Sequence, residues 1–373
     1  MEDASHRRSP TIPRLAEQIR RQILSGVHGA PGERFLTVRK LAETYKVSLV
    51  TAQRVMTALR DAGFVILNGN KSRVAIPENV SAGKLVGMVV TNLESPFFAS
   101  LAREAQRAVV RAGAKMVIAG SDYDLERERG ILEMFMASKV DGVLACPGVA
   151  PDTRGLYAGL KVPFVFIARE LGGLEADAVL ADNRAAARKT ARHLLELERR
   201  CHAYIGPSGL NDDHRWEGFA AGLKAGGVDL ADIRKLTVDI KGYELEERRF
   251  ADFLASLPKP AAVFCFHDLM AAMALRAAAR LGLRVPQDLA VAGFDDLPIA
   301  ASLRPSLTTS AYPLRDMAAN AAEILLGRIS RADNTSPTKR ILSPALVVRE
   351  STGGETASGL GEPAPDFAAY QFS

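Results

Sequence analysis

Residues 84–122 read KLVGMVVTNLESPFFASLAREAQRAVVRAGAKMVIAGSD. Leu85–Thr91 is a short apolar run rich in Val, the pattern of a strand buried on both faces. Pro96–Ala112 follows as an amphipathic helix, and Met116–Ala119 returns to strand. A helix between two strands implies parallel pairing, because antiparallel neighbours need only a tight turn. The alternation continues. Strands are expected at Gly142–Cys146, Phe164–Ile167, Ala178–Ala181, Ala203–Gly206, Ala262–Phe266 and Leu289–Gly293. Helices are expected between them at Leu125–Ser138, Arg184–Leu197, Arg215–Ala225, Leu245–Ser256 and Leu269–Leu281. Over about 250 residues this implies parallel sheets covered on both faces, and more strands than one domain holds comfortably. Two α/β lobes are expected.

Ligands in such folds sit beyond the carboxyl ends of the strands. Those ends carry Ser95, Phe97 and Phe98 after the first strand and Asp122 after the second. Arg169 follows Phe164–Ile167, and Arg215 opens the helix after Ala203–Gly206. His267, then Phe294 and Asp295, follow later strands, and Tyr312 lies beyond them. A ligand with several hydroxyls is held by carboxylate and guanidinium groups and by an apolar ring face. These residue types fit a sugar. Asp182, Asn183 and Asp268 stand where helix caps are the commoner role.

The first eighty residues follow a different plan. Pro13 opens a helix with Leu15, Ile19 and Ile23 on one stripe, and Gly26 ends it. Thr37 is placed to cap a second helix with Val38, Leu41, Ala42 and Tyr45 inward, and Ser48 a third with Ala52, Val55, Met56 and Leu59 inward. Phe64–Leu67 and Lys71–Ile76 flank Asn68-Gly69, a strong hairpin signal. Three helices and a hairpin make a winged helix-turn-helix. Its third helix is expected to present Ser48, Thr51, Gln53 and Arg54 to a major groove, while Lys71 and Arg73 reach phosphates.

Charge agrees with that assignment. Residues 1–83 hold 13 Lys/Arg against 7 Asp/Glu, whereas the remainder holds 35 against 36, so the excess sits where phosphates would be met. No leader or bilayer-spanning run is found, so a cytoplasmic location without membrane association is expected. Cys146, Cys201 and Cys265 are widely spaced inside apolar runs and read as buried hydrophobes. His6, His28, His193, His202, His214 and His267 have no metal spacing, and no phosphate loop or nucleophile elbow occurs. Neither a metal nor another cofactor is expected. An enzyme is disfavoured, although His267-Asp268 imitates a catalytic pair, and a transport-type binding protein is disfavoured by the basic head.

Arg14–Ala75 resembles the DNA-binding domain of GntR-family regulators. The likeness is carried by Pro31-Gly32-Glu33-Arg34, Arg39-Lys40-Leu41-Ala42, Val47-Ser48, Leu59, Ala62-Gly63 and the wing glycine Gly69. It implies DNA contacts by Arg39, by Ser48 and by the residues after it. Leu49 and Gln53 stand where that family often has Arg, and Leu36 where it often has Pro. Lys84 to about Arg349 resembles the effector domain of LacI/GalR repressors and related periplasmic sugar-binding proteins. The matching text includes Ser95-Pro96-Phe97-Phe98, Ser121-Asp122, Val140-Asp141-Gly142-Val143, Ala181-Asp182-Asn183, Arg215-Trp216-Glu217-Gly218-Phe219 and Gly293-Phe294-Asp295-Asp296. The resemblance implies a pocket between two lobes using Phe97, Phe98, Arg169, Arg215 and Asp295. Ala168, His267, Tyr312 and Cys146 depart from the common pocket residues. That family's usual head and hinge helix are not found. A GntR-type head on a LacI-type body is similar to arabinose-responsive repressors.

The expected organisation is a disordered segment 1–12, a winged head 13–76, a linker 77–83, a two-lobed periplasmic-binding-like domain 84–350 and a disordered tail 351–373. The expected function is a homodimeric repressor that binds double-stranded operator DNA under control of a sugar. A purine or nucleoside effector, and a ligand that tightens rather than releases DNA binding, remain open.

Overall fold

A computed structural model describes residues 12–24, 27–29, 32–68, 71–75, 84–208, 213–239, 242, 245–330 and 336–354. It divides into two compact units, a head and a body, parting near Lys84.

The head has helices α1 (Ile12–Leu24), α2 (Val38–Tyr45) and α3 (Leu49–Asp61), then strands β1 (Val65–Asn68) and β2 (Lys71–Val74). The strands pair antiparallel from Val65↔Val74 to Asn68↔Lys71. Thr37 caps α2 by accepting from the Lys40 N–H at 3.2 Å, and Ser48 caps α3 by accepting from the Thr51 N–H at 3.1 Å. Lys46 ends α2 at φ 51°, a left-handed residue that turns the chain sharply into α3. Leu15, Ile19, Ile23, Leu41, Ala52, Val55, Met56, Leu59 and Phe64 form one core. The stripes expected from spacing are the stripes buried.

The body carries two six-stranded sheets. The first comprises β3 (Leu85–Val90), β4 (Lys115–Gly120), β5 (Gly142–Ala145), β6 (Phe164–Ile167), β7 (Asp177–Ala181) and β13 (Lys339–Leu342), in spatial order β13-β7-β6-β5-β3-β4. The second comprises β8 (Cys201–Pro207), β9 (Arg234–Val238), β10 (Ala261–Cys265), β11 (Leu289–Asp295), β12 (Thr308–Ala311) and β14 (Ala345–Val347), in order β14-β12-β11-β10-β8-β9. Among the described strands of the body, β14 runs antiparallel to its neighbour β12. The order 2-1-3-4-5 therefore occurs in both lobes. In each, successive connections leave in opposite directions from the first strand, opening a crevice at the carboxyl ends of β3 and β5 and of β8 and β10.

Helices α4 (Pro96–Arg111), α5 (Leu125–Ala137), α6 (Thr153–Ala158) and α12 (Leu314–Ser330) belong to the first lobe, and α7 (Asn183–Leu195), α8 (His214–Ala225), α9 (Glu247–Ser256), α10 (Asp268–Arg280) and α11 (Pro298–Ser302) to the second. The chain crosses between lobes at Asp182, at Tyr312-Pro313 and at Ser343-Pro344. Gly218 and Gly222 let α8 press onto α7: a methyl on Gly218 would stand 2.3 Å from the Arg184 carbonyl oxygen.

Two boundaries differ from expectation. Helix α1 begins at Ile12, inside the segment expected to be disordered. The segment expected to be a disordered tail from residue 351 starts with ordered residues. Ser351 and Thr352 are buried, and Ser351 accepts from the Thr308 N–H at 2.8 Å and donates to the Val291 carbonyl at 2.6 Å. The linker 77–83, residues 1–11, Gly69, Ile76 and residues 355–373 lie outside the described residues. Among the described residues no helix is long and apolar enough to cross a membrane.

Candidate functional site

In the body the candidate ligand residues converge on Arg215. It sits in the first turn of α8, which Asp213 caps by accepting from the Arg215 and Trp216 N–H groups at 3.2 and 3.0 Å. The Tyr204 hydroxyl donates to the same carboxylate at 2.7 Å, tying the helix start to β8. The Arg215 guanidinium lies 4.0 Å from the Phe294 ring centroid and 4.4 Å from that of Phe266. It donates to Asp295 at 3.1 Å and to the Phe266 carbonyl. Both charged residues are buried, at 8% and 6% exposure. A pair this dry depends on each partner, since removing one leaves a bare charge.

Tyr312 links this clamp to the first lobe. Its ring centroid lies 5.7 Å from Phe294 and 5.0 Å from Phe97, and Phe97 lies 5.2 Å from Phe98. Aromatic surface from one lobe therefore meets a guanidinium–carboxylate pair in the other. An open cleft of about 540 Å³ is walled by Ser100 and Glu104 of α4 and by Asp295, Leu297 and Tyr312. That is within the usual range for a small ligand.

Backbone strain marks the same strand ends. Asp122 and Tyr123 follow β4, Ala168 follows β6, and Asp295 and Asp296 lie at the end of β11; all five have positive φ, with Asp295 at 110°. Such conformations cost energy and persist where surrounding contacts fix them.

The electrostatics follow from dryness. Burial pushes the Asp295 carboxyl up to about 6, although the Arg215 guanidinium pulls it down. Burial, reinforced by Asp295, pushes Asp268 up to about 8. Asp268 is not a helix cap; it accepts from the Leu297 N–H at 2.7 Å and the Thr309 hydroxyl at 2.6 Å, holding the loop after Asp295 in place. Burial and Arg215 push His267 down to about 3, so its ring is neutral. His267, rather than Asp268, caps α10: Nδ1 accepts from the Met270 N–H at 3.0 Å, which leaves the ring proton on Nε2 as a donor. Asp182 caps α7 as expected, accepting from the Ala185 N–H at 2.8 Å.

The remaining expectations are met unevenly. Arg169 donates to the Pro147 carbonyl at 2.8 Å, beside Cys146, whose thiol burial pushes up to about 11. Ser95 precedes α4 but its hydroxyl makes no capping bond. Asp122 does not join the cluster; it is exposed and ion-pairs with Arg127. Sequence reasoning missed Phe266, Tyr204, Asp213 and Glu128. Glu128 is buried within α5 and accepts from the Tyr157 hydroxyl at 2.6 Å, the Gly148 N–H at 3.0 Å and the Ser121 hydroxyl at 3.3 Å. It fastens the loop whose Pro147 carbonyl orients Arg169.

In the head, Thr37, Arg39, Lys40, Ser48, Gln53, Arg54 and Lys71 are exposed. Thr51 is half-buried, and its hydroxyl lies 2.9 Å from that of Ser48. Arg73 is not presented freely either: it donates to the Gly32 carbonyl at 2.5 Å.

Residues 191–352 match the model of the periplasmic binding protein-like domain. The ribose operon repressor of Halalkalibacterium halodurans is 30% identical over 336 residues, covering 86% of this chain and 98% of that protein. The chain belongs to the LacI family of transcription regulators. Solved LacI-type structures agree with its body. A periplasmic binding protein/LacI transcriptional regulator from Alkaliphilus metalliredigens, complexed with D-xylulofuranose, is 27% identical and superposes with a TM-score of 0.64 over 72% of this chain and 99% of that one. A LacI-family regulator from Sanguibacter keddieii is 32% identical, with a TM-score of 0.62 over 72% of this chain and 98% of that one. As in other LacI-family regulators, the task of this chain is control of transcription rather than catalysis, and the two-lobed body is its effector domain.

Proposed function

We propose that the chain is a sugar-responsive repressor whose head is a winged helix-turn-helix of the GntR type and whose operator complex is a homodimer. The observation that carries the sugar is the Arg215 clamp. A guanidinium stacked on Phe266 and Phe294 and bonded to Asp295 offers ring hydroxyls both a donor and an acceptor. Phe97 and Tyr312 supply the apolar face. The relative named for the ribose operon and the relative crystallised with D-xylulofuranose support a small sugar. The hairpin directly after α3 supports the winged head.

The sugar draws the lobes together through these residues and weakens the hold of the paired heads on DNA, with a coupling of about 1–3 kcal/mol. A thermal-shift screen of pentoses, hexoses and nucleobases tests the effector. A sugar at a hundred times its Kd adds about 2.7 kcal/mol of stability. Gel-shift titration with that sugar then gives the sign. Stabilisation by nucleobases alone replaces the sugar with a purine-type effector, and tighter DNA binding on adding sugar removes the inducer role.

A further inference from the structure

The face that α3 turns outward is offset from the polar row Ser48, Thr51 and Arg54. Ala52, Val55, Met56 and Leu59 are fully buried. At 100° per residue, that phase points Val50, Gln53, Arg54 and Thr57 away from the core. Two hydroxyls are already occupied. Thr51 is tied to Ser48, and the Thr57 hydroxyl donates to the Gln53 carbonyl at 3.1 Å. The first two turns therefore present an apolar group, an amide and a guanidinium. Val50 is 65% exposed and its neighbour Leu49 56%. Arg39, Lys40, Arg54 and Lys71 are exposed on the same head, which carries 13 Lys/Arg against 7 Asp/Glu through residue 83. That charge suits a polyanion, and the exposed apolar pair opens the helix of the same head that carries Arg54.

A major-groove edge offers one apolar feature, the C5 methyl of thymine; amides pair best with adenine and guanidinium groups with guanine. We propose that Val50, flanked by Leu49, is a specificity-determining residue that reads a thymine methyl, with Gln53 and Arg54 reading neighbouring purines. The proposal rests on the head binding a duplex through α3, and it adds a position that polar pattern alone does not single out.

Deoxyuridine separates the two claims, because it lacks only the methyl and keeps every hydrogen-bonding group. The full-length protein is used to enrich bound duplexes from a random pool. Each thymine of the best duplex is then replaced singly by deoxyuridine. One position per half-site is expected to lose about fourfold in affinity, the value of one buried methyl group. Val50→Ala is expected to bind the thymine and deoxyuridine duplexes equally and, since the side chain is exposed, to melt with the parent. The proposal is overturned if Val50→Ala keeps the parent's thymine preference, or if every deoxyuridine is neutral in a duplex that is bound specifically. A protein that enriches nothing and shows no salt-dependent duplex binding overturns the DNA reading itself, and the Val50 assignment with it.

Discussion

Replacing Arg215 by Met keeps an apolar stem beneath Phe266 and Phe294 while removing the cation beside Asp295. The consequence depends on pH, and its sign can be worked out. The Asp295 carboxyl stands at about 6 in the folded protein against an ordinary 3.8. A raised acid favours the fold most when protonated. Its contribution is full below pH 3.8 and is lost as pH rises through 6. In the parent that loss is complete above pH 6, because Arg215 holds the carboxyl there. Without Arg215 the folded value climbs further, so the loss continues upward. Between pH 6 and the new value, the folded variant holds one proton more than the unfolded chain. The destabilisation relative to the parent then grows by about 1.4 kcal/mol per pH unit. It approaches the ~3–5 kcal/mol expected for a buried pair broken on one side. Asp268, whose own value Asp295 raises, is coupled to this titration, so the slope belongs to the two acids together. Urea unfolding of parent and Arg215→Met at pH 6, 7 and 8 measures the slope. Arg215→Met combined with Asp295→Asn removes both charges and should regain most of the loss. A difference that stays flat from pH 6 to 8, or a double variant no more stable than the single, would refute the assignment of Asp295 as a carboxylate held ionised by Arg215.

Further substitutions at four positions probe the packing and the buried acids. Glu128→Ala orphans the Tyr157 hydroxyl, the Gly148 N–H and the Ser121 hydroxyl; at about 1–3 kcal/mol for each unsatisfied buried group it should lose at least 3 kcal/mol in urea unfolding, with Glu128→Gln losing less. Gly218→Ala drives a methyl into the Arg184 backbone and should cost about 1–3 kcal/mol. Gly130→Ala, within α5 and with nothing within 4 Å, should instead add about 0.5–1 kcal/mol, so paired melting curves decide whether the α7–α8 contact is as close as described. Asp268→Asn deletes a group raised to about 8, whose contribution is lost as pH rises through that value. Its stability should therefore fall less steeply than the parent's between pH 5 and 8, by about 1.4 kcal/mol per unit, and parallel pH profiles would contradict the buried acid.

What could be read from sequence, and what could not, divides along physical lines. The inner strands β3, β6 and β11 were legible because burial on both faces leaves an unbroken apolar run. Strands β9, Arg234–Val238, and β13, Lys339–Leu342, were not, because edge strands keep water on one side and carry Lys and Arg. Helix α12 was missed because its apolar residues are spread around it rather than gathered in a stripe. The site shows the same division. Arg215, Phe294 and Asp295, which the structure brings together, were singled out because the fold rule directs attention to strand ends. Glu128 was not, since an acid inside a helix looks like a surface charge until Tyr157 and Gly148 are brought to it from 29 and 20 residues away.

Tyr312 joins two roles that sequence could not connect. It lies where the chain crosses from the second lobe to the first, and its ring touches both Phe97 and Phe294. In the function proposed above, the ring set against the sugar is therefore part of a segment that joins the two lobes. A ligand held between Phe97 and Arg215 cannot favour one position of Tyr312 without also favouring one angle between the lobes. Differential contact of that kind is what a binding event needs in order to shift a conformational equilibrium.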